Sequence, residues 1–192
     1  MNVYQDITLL PMADIDIDFL WGKVYQKIHL GLVETKMPNG LSSIGLAFPE
    51  YDIENCQLGS KLRVFAMEKR ILEKFHAEKW LNNLSDYTHI TGIREVPRNI
   101  TNYVRFKRKQ SKSNTERLAR RKAKREAIDF EDAMQVLKNH KEKMINAPYV
   151  KISSLSSGNE YKLFICKEPS EELLSKSFSC YGLSAESSLP DF

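Results

Sequence analysis

Five cations share one helical face near the middle of the chain. Arg117, Arg120, Arg121, Lys124 and Arg125 recur at i, i+3, i+4, i+7 and i+8, the spacing that aligns side chains along one side of an α-helix. The opposite side carries only Leu118, Ala119 and Ala123, too little to bury in a substantial core. The chemistry open to such a face is binding a polyanion. The window 101–125 holds 11 of the 29 Lys and Arg but one of the 25 Asp and Glu, Glu116, so it carries about +10. The rest of the chain sets 18 cations against 24 acids, about −6, and the formal total of +4 conceals this polarity. The bland alternative is a solvated surface helix laced by i,i+4 ion pairs. Such pairs need acidic partners, and Glu116 and Glu126 are too few for this face. Charge alone does not separate RNA from DNA as the partner.

Acid–base chemistry near neutral pH would fall to histidine, whose unperturbed pKa is roughly 6.5. The chain has four, His29, His76, His89 and His140. His29 lies beside Ile28 and Leu32, which belong to the apolar stripe of a long helix. A histidine at a core edge is commonly structural, and spacing alone does not raise His29 above that reading. His76 among helical charges, His89 in an expected strand and His140 in a polar helix read as non-catalytic. A metal route would want clustered carboxylates or His/Cys ligands. Asp14, Asp16 and Asp18 alternate, but at a helix start, where they complement the helix dipole. Cys56, Cys166 and Cys180 lack CxxC spacing and read as reduced thiols rather than a zinc site. No metal and no other cofactor is expected.

The elements that must position these groups follow from pattern and punctuation. Residues 3–10 read as a strand, and Asp14 opens a long helix through Ile17, Leu20, Trp21, Val24, Ile28 and Leu32. Pro38, Asn39 and Gly40 end it. Strands are expected over 43–48, 61–66 and 87–96, with an amphipathic helix over 68–84. The order β-α-β-β-α-β is the ferredoxin-like split motif, with two helices on one sheet face and the other face left free. A basic strand follows over 103–108. Ser113 and Glu116 form a capping box for the cationic helix, placed at about 114–127. A further helix is expected over 129–146, and strands over 149–154, 161–167 and 178–183. The class is therefore α+β: a ferredoxin-like domain over 1–98 and a smaller α+β domain over 99–192 that carries the arginine-rich helix. No apolar run approaches 18 residues, so no membrane helix is expected. The N-terminus lacks a basic segment followed by an apolar one, and a cytoplasmic location is expected.

Several short motifs, in order along nearly the whole chain, carry a resemblance. They are His29 in Lys-Ile-His-x-x-Leu-Val; Ile44-Gly45-x-x-Phe48-Pro49; and Arg108-x-Gln110-x-Lys112-Ser113-Asn114-x-Glu116-Arg117-Leu118. The Ser154-x-Ser156-x-Gly158 turn before Leu163-Phe164-Ile165 and the run Cys180-Tyr181-Gly182-Leu183-Ser184 complete the set. Together they resemble the CRISPR RNA-processing endoribonucleases of subtype I-F systems, in the RAMP superfamily. The resemblance implies a metal-independent cut at the 3′ base of the repeat hairpin. It also implies that the protein keeps its CRISPR RNA product and joins the other protein subunits of the type I-F surveillance complex. No membrane partner is implied.

The family's site carries over residue by residue. His29 matches the catalytic base, Ser154 the serine that fixes the nucleophilic ribose, and Tyr181 the tyrosine beside the histidine. Arg108 and Gln110 match residues that read bases at the foot of the stem; arginine and glutamine can pair bidentately with guanine and adenine. Lys112, Ser113 and Asn114, with Arg117, Arg120, Arg121, Lys124 and Arg125, match the hairpin grip. Ser156 and Ser157 match backbone contacts near Ser154. Two positions depart from the family pattern. Lys124 stands where an arginine is usual, replacing a planar fork by a point charge. Tyr161 stands where a phenylalanine stacks on the terminal base pair, a role tyrosine can keep. Residues 129–146 match poorly and receive no role. Two other readings stay open: a hairpin-binding subunit that does not cut, and a basic architectural protein for DNA.

Overall fold

The structure is a computed structural model that describes residues 1–110, 115–140, 145–153, 158–173 and 175–192. Two compact units form, Met1–Arg108 with Ala147–Phe192, and Lys109–Asn146. In the first unit, β1 (Val3–Leu9), β2 (Gly45–Ala47), β3 (Lys61–Ala66) and β4 (Thr88–Ile90) lie in the order β2-β3-β1-β4, and β5 (Arg94–Glu95) also pairs with β1. Every pairing is antiparallel. This is the ferredoxin-like arrangement, and the class is α+β as the element order implies. The strand expected over 87–96 is two short ones. Between them the Asp6 amide donates to the Thr91 hydroxyl at 3.1 Å rather than to a strand carbonyl.

α1 (Ile17–Glu34) begins after an extended Asp16 and carries Asp18 in its first turn, where carboxylates meet the positive helix end. It buries Leu20, Trp21, Val24, Tyr25, Ile28, Gly31 and Leu32. A Cβ at Gly31 would lie 2.7 Å from the Phe75 ring and from the Trp80 indole nitrogen, so only glycine admits that packing. Phe75 and Trp80 belong to two helices, not one. The helix expected over 68–84 is α2 (Lys69–Phe75), α3 (Ala77–Trp80) and a 3-10 segment, Asn82–Tyr87. The break is at His76, at φ +51°. The Trp80 indole N–H donates to the Phe75 carbonyl at 3.0 Å, satisfying an acceptor that a broken helix leaves open.

The same unit holds a second sheet. β6 (Tyr103–Lys109), β7 (Tyr149–Ser153), β8 (Glu160–Ser170) and β9 (Leu189–Pro190) run in the order β7-β8-β6-β9. The two sheets share a core: Phe48 meets Trp21 and Tyr25 of α1 on one side and Phe106 of β6 on the other, with centroids 5.2–6.3 Å apart. The ferredoxin-like sheet does not keep a free face. Phe178 and Leu189 lie where a Cβ of Gly45 would be, and the Phe192 ring packs on Tyr4 and Phe65. Arg63 is buried there, bonded bidentately to Asp6 at 2.7 and 3.0 Å.

The strand expected over 178–183 is a turn. Ser42 and Phe178 exchange both backbone bonds in an isolated bridge. The chain then folds back, Gly182 N–H donating to the Ser179 carbonyl at 2.8 Å. Gly182 sits at φ +69°, and a Cβ there would enter the Leu46 side chain, so a strand cannot continue through it.

The second unit contains α4 (Thr115–Glu126) and α5 (Phe130–Val136), which contact each other. Asp129 caps α5, its side chain accepting from the Phe130 amide at 2.7 Å. Ala119 and Ala133 are the buried residues of the pair. The helix expected over 129–146 stops at Val136, and residues 141–144 lie outside the described residues. No helix among the described residues is long and apolar enough to cross a membrane.

Candidate active site

α1 sets the position of His29 through its buried neighbours Ile28 and Leu32. The imidazole is half-buried, and its Nδ1 lies 2.8 Å from the Cys180 carbonyl. A carbonyl can only accept, so Nδ1 carries the proton in this contact. In the neutral ring that fixes Nε2 as the basic nitrogen. Nε2 has no hydrogen-bond partner among the described residues.

The Tyr181 ring lies parallel to the imidazole, with centroids 4.3 Å apart and an interplanar angle of 1°. Three bonds hold Tyr181. Its carbonyl accepts from the Tyr25 hydroxyl at 2.7 Å, its amide donates to the Ser179 hydroxyl at 3.3 Å, and its hydroxyl meets that of Tyr161 at 2.7 Å. Burial, then the nearby Tyr181 and Tyr161 phenols, push the Tyr25 phenol well above its ordinary value, so it stays a neutral donor. Partial burial, then the bond to Tyr181, push the Tyr161 phenol up to about 12, while the Arg108 charge pulls the other way.

Arg108 lies over both phenol rings, 5.5 Å from Tyr161 and 5.6 Å from Tyr181. Arg105 and Lys107 on the same strand share Glu168 of β8. Arg108 makes no ion pair among the described residues. Its cation therefore rests on aromatic faces, available to an anion or a base.

The structure brings together four of the residues singled out in the sequence: His29, Tyr181, Tyr161 and Arg108. Gln110 is exposed just after β6. Arg117, Arg120, Arg121, Lys124 and Arg125 are all exposed on α4. Glu116 pairs with Arg120 at 3.4 Å and Glu126 with Arg125 at 2.7 Å, so the acids beside this face are the two visible in the sequence. Lys112, Ser113, Asn114, Ser154, Ser156 and Ser157 lie outside the described residues. So does the Ser113 half of the capping box.

Three contributors escape sequence reasoning. Tyr25 is four residues before His29, a helical spacing that could have marked it as a neighbour. The Cys180 carbonyl has no side-chain signature at all. Gln26, one turn before His29, accepts from the Ser153 amide at 3.2 Å and ties α1 to the end of β7; helical spacing marks its side of α1 but not its partner.

An imidazole, a phenol stacked on it and a guanidinium with no ion pair among the described residues thus lie together. Residues 4–192 match the family described as "CRISPR-associated protein (Cas_Csy4)". The chain belongs to the Csy4 family. Over an aligned stretch of 193 positions that covers all of both chains, it is 32% identical to "CRISPR-associated endonuclease Cas6/Csy4" of Pseudomonas aeruginosa (strain UCBPP-PA14). Over 197 aligned positions, again covering all of both chains, it is also 32% identical to the protein of that name in Escherichia coli (strain UTI89 / UPEC). The resemblance read from the motifs and the family match agree.

Proposed function

We propose that this protein is an endoribonuclease that cuts CRISPR repeat transcripts at the 3′ base of the repeat hairpin without a metal ion. His29 Nε2 takes the proton from a ribose 2′-hydroxyl. The 2′-oxygen attacks the adjacent phosphorus and the bond from phosphorus to the 5′-oxygen breaks. The leaving oxygen is protonated by water, giving a 2′,3′-cyclic phosphate and a 5′-hydroxyl. Ser154 fixes the ribose, which is a proximity effect, and Tyr181 holds the imidazole. Arg108 and Gln110 read bases at the foot of the stem, and Tyr161 stacks on its terminal pair. Lys112, Ser113, Asn114 and the five cations of α4 grip the hairpin, with Ser156 and Ser157 on the backbone near the cut. Residues 1–98 supply the base and residues 99–192 the RNA recognition. The product stays bound, and the protein serves as a subunit of the type I-F surveillance complex in the cytoplasm.

The observation that carries this reading is the His29 arrangement: Nδ1–H engaged with a carbonyl, the ring stacked on Tyr181, and Nε2 left as the base. Membership of the Csy4 family and the two relatives named as CRISPR-associated endonucleases support a CRISPR transcript as the substrate. The test is an end-labelled repeat hairpin incubated with the protein and EDTA. Cutting that survives chelation and is lost in His29→Ala supports the reading. Tight binding without cutting would make the protein a hairpin-binding subunit, and preference for duplex DNA would overturn both.

A further inference from the structure

Stacking a base on Tyr161 needs its ring and leaves its hydroxyl without a task. We propose that this hydroxyl makes Tyr161 a positioning residue for His29, acting through Tyr181. The inference rests on His29 being the base. The backbone of Tyr181 is already held at both its carbonyl and its amide, by Tyr25 and Ser179. What remains free is rotation of the side chain about its two torsions. A bond at the far tip of the ring removes that freedom, and the Tyr161 hydroxyl provides it at 2.7 Å. The constrained ring is the one lying within 1° of parallel to the imidazole, so a swing of the phenol would open the stack that aims Nε2. Tyr161 belongs to β8, whose Ile152↔Tyr161 pairing with β7 fixes its backbone. Arg108 spans both phenols and leaves the contact between their hydroxyls intact. A phenylalanine at 161 would keep the aromatic face and lose only this bond.

The test compares Tyr161→Phe, Tyr181→Phe and the double variant with the wild type. Three quantities are measured: the single-turnover cleavage rate, the affinity for a hairpin with a 2′-deoxy ribose at the cut, and the ¹⁵N signals of the His29 imidazole in the free protein. Each single change is expected to slow cutting about 2- to 10-fold, the worth of one hydrogen bond. The double variant should be no slower than the slower single, because both remove one interaction. Hairpin affinity should stay within about twofold, since the stacking ring is kept. The His29 signals should move in Tyr161→Phe. Losses that multiply in the double variant, a loss of affinity at an unchanged rate, or His29 signals that do not move would each overturn the proposal. If the wild type fails to cut any repeat hairpin, the enzymatic reading falls, and the His29 signals still decide whether Tyr161 orients the ring.

Discussion

α1 and α4 are built on opposite plans. α1 buries seven of its 18 residues, and the side chain that could react, His29, is fixed by a hydrogen bond on one edge and a ring on one face. α4 buries one residue of 12, Ala119, and turns its cations to solvent. The difference fits the roles proposed for them. Bond-making needs atoms held within fractions of an ångström, which requires a packed core behind them. Holding a polyanion needs charge and reach, and each contact gains by releasing counterions rather than by fitting a mould. One helix is over-determined and the other is left adaptable.

His29→Ala tests the first half of this contrast and should have the largest effect. Losing a general base slows cutting by about 10²–10⁴-fold, while affinity for an uncleavable hairpin stays near the wild-type value. A comparable loss of affinity would mean that α1 grips rather than reacts, and the contrast would fail.

Stability should divide the same way. Asp6→Ala leaves the Arg63 guanidinium buried among Tyr4, Phe192 and the sheet without its carboxylate. Breaking one side of a buried pair costs about 3–5 kcal/mol, read as a lowered urea midpoint. Replacing Arg120 and Arg121 together by Ala, both exposed, should move the same midpoint by no more than about 0.5 kcal/mol per site. That double variant should instead lower hairpin affinity and reduce the salt-dependence slope by up to about 1.8, at about 0.9 or less per lost phosphate contact. An unchanged slope would mean that this face of α4 does not meet RNA.

The two helices also differ in how much of them the sequence discloses. The cationic face of α4 is a local pattern, since period and charge suffice to find it. The ferredoxin-like strand order follows from the element order, which sequence period also reveals. His29 is different. Its spacing marks a core edge, and only the family motifs single it out, because the partner that sets its tautomer is a backbone carbonyl 151 positions away. The turn at 179–182 reads as a strand because Phe178, Tyr181 and Leu183 have strand character. What overrides them is the positive φ at Gly182 and the Leu46 side chain packed where a Cβ would lie, and neither is visible in the local sequence. The break at His76 is nearly as hidden, for histidine favours a left-handed backbone only weakly. Tyr161 reads as a stacking surface, whereas its hydroxyl bond depends on where a distant loop brings Tyr181.

The smallest expected effect concerns that bond. The Tyr161 phenol, ordinarily near 10, is pushed up to about 12 in the folded protein. Below about pH 10 both folded and unfolded chains keep this proton, and the stabilisation is fully present. Above it the unfolded chain ionises first and binds fewer protons, so stability falls as pH rises toward 12. Urea midpoints followed from pH 9 to 11.5 should therefore decline more steeply in the wild type than in Tyr161→Phe, which has no proton to lose at that position. Subtracting the two curves removes whatever the two proteins have in common and leaves the contribution of this one hydroxyl. Absorbance at 295 nm gives the complement: the variant should show one late-appearing phenolate fewer than the wild type. Parallel urea curves would mean that the two hydroxyls do not share a proton in solution. The stack on His29 would then depend on the backbone of Tyr181 alone, and the tight positioning on α1 would end one residue sooner than the structure draws it.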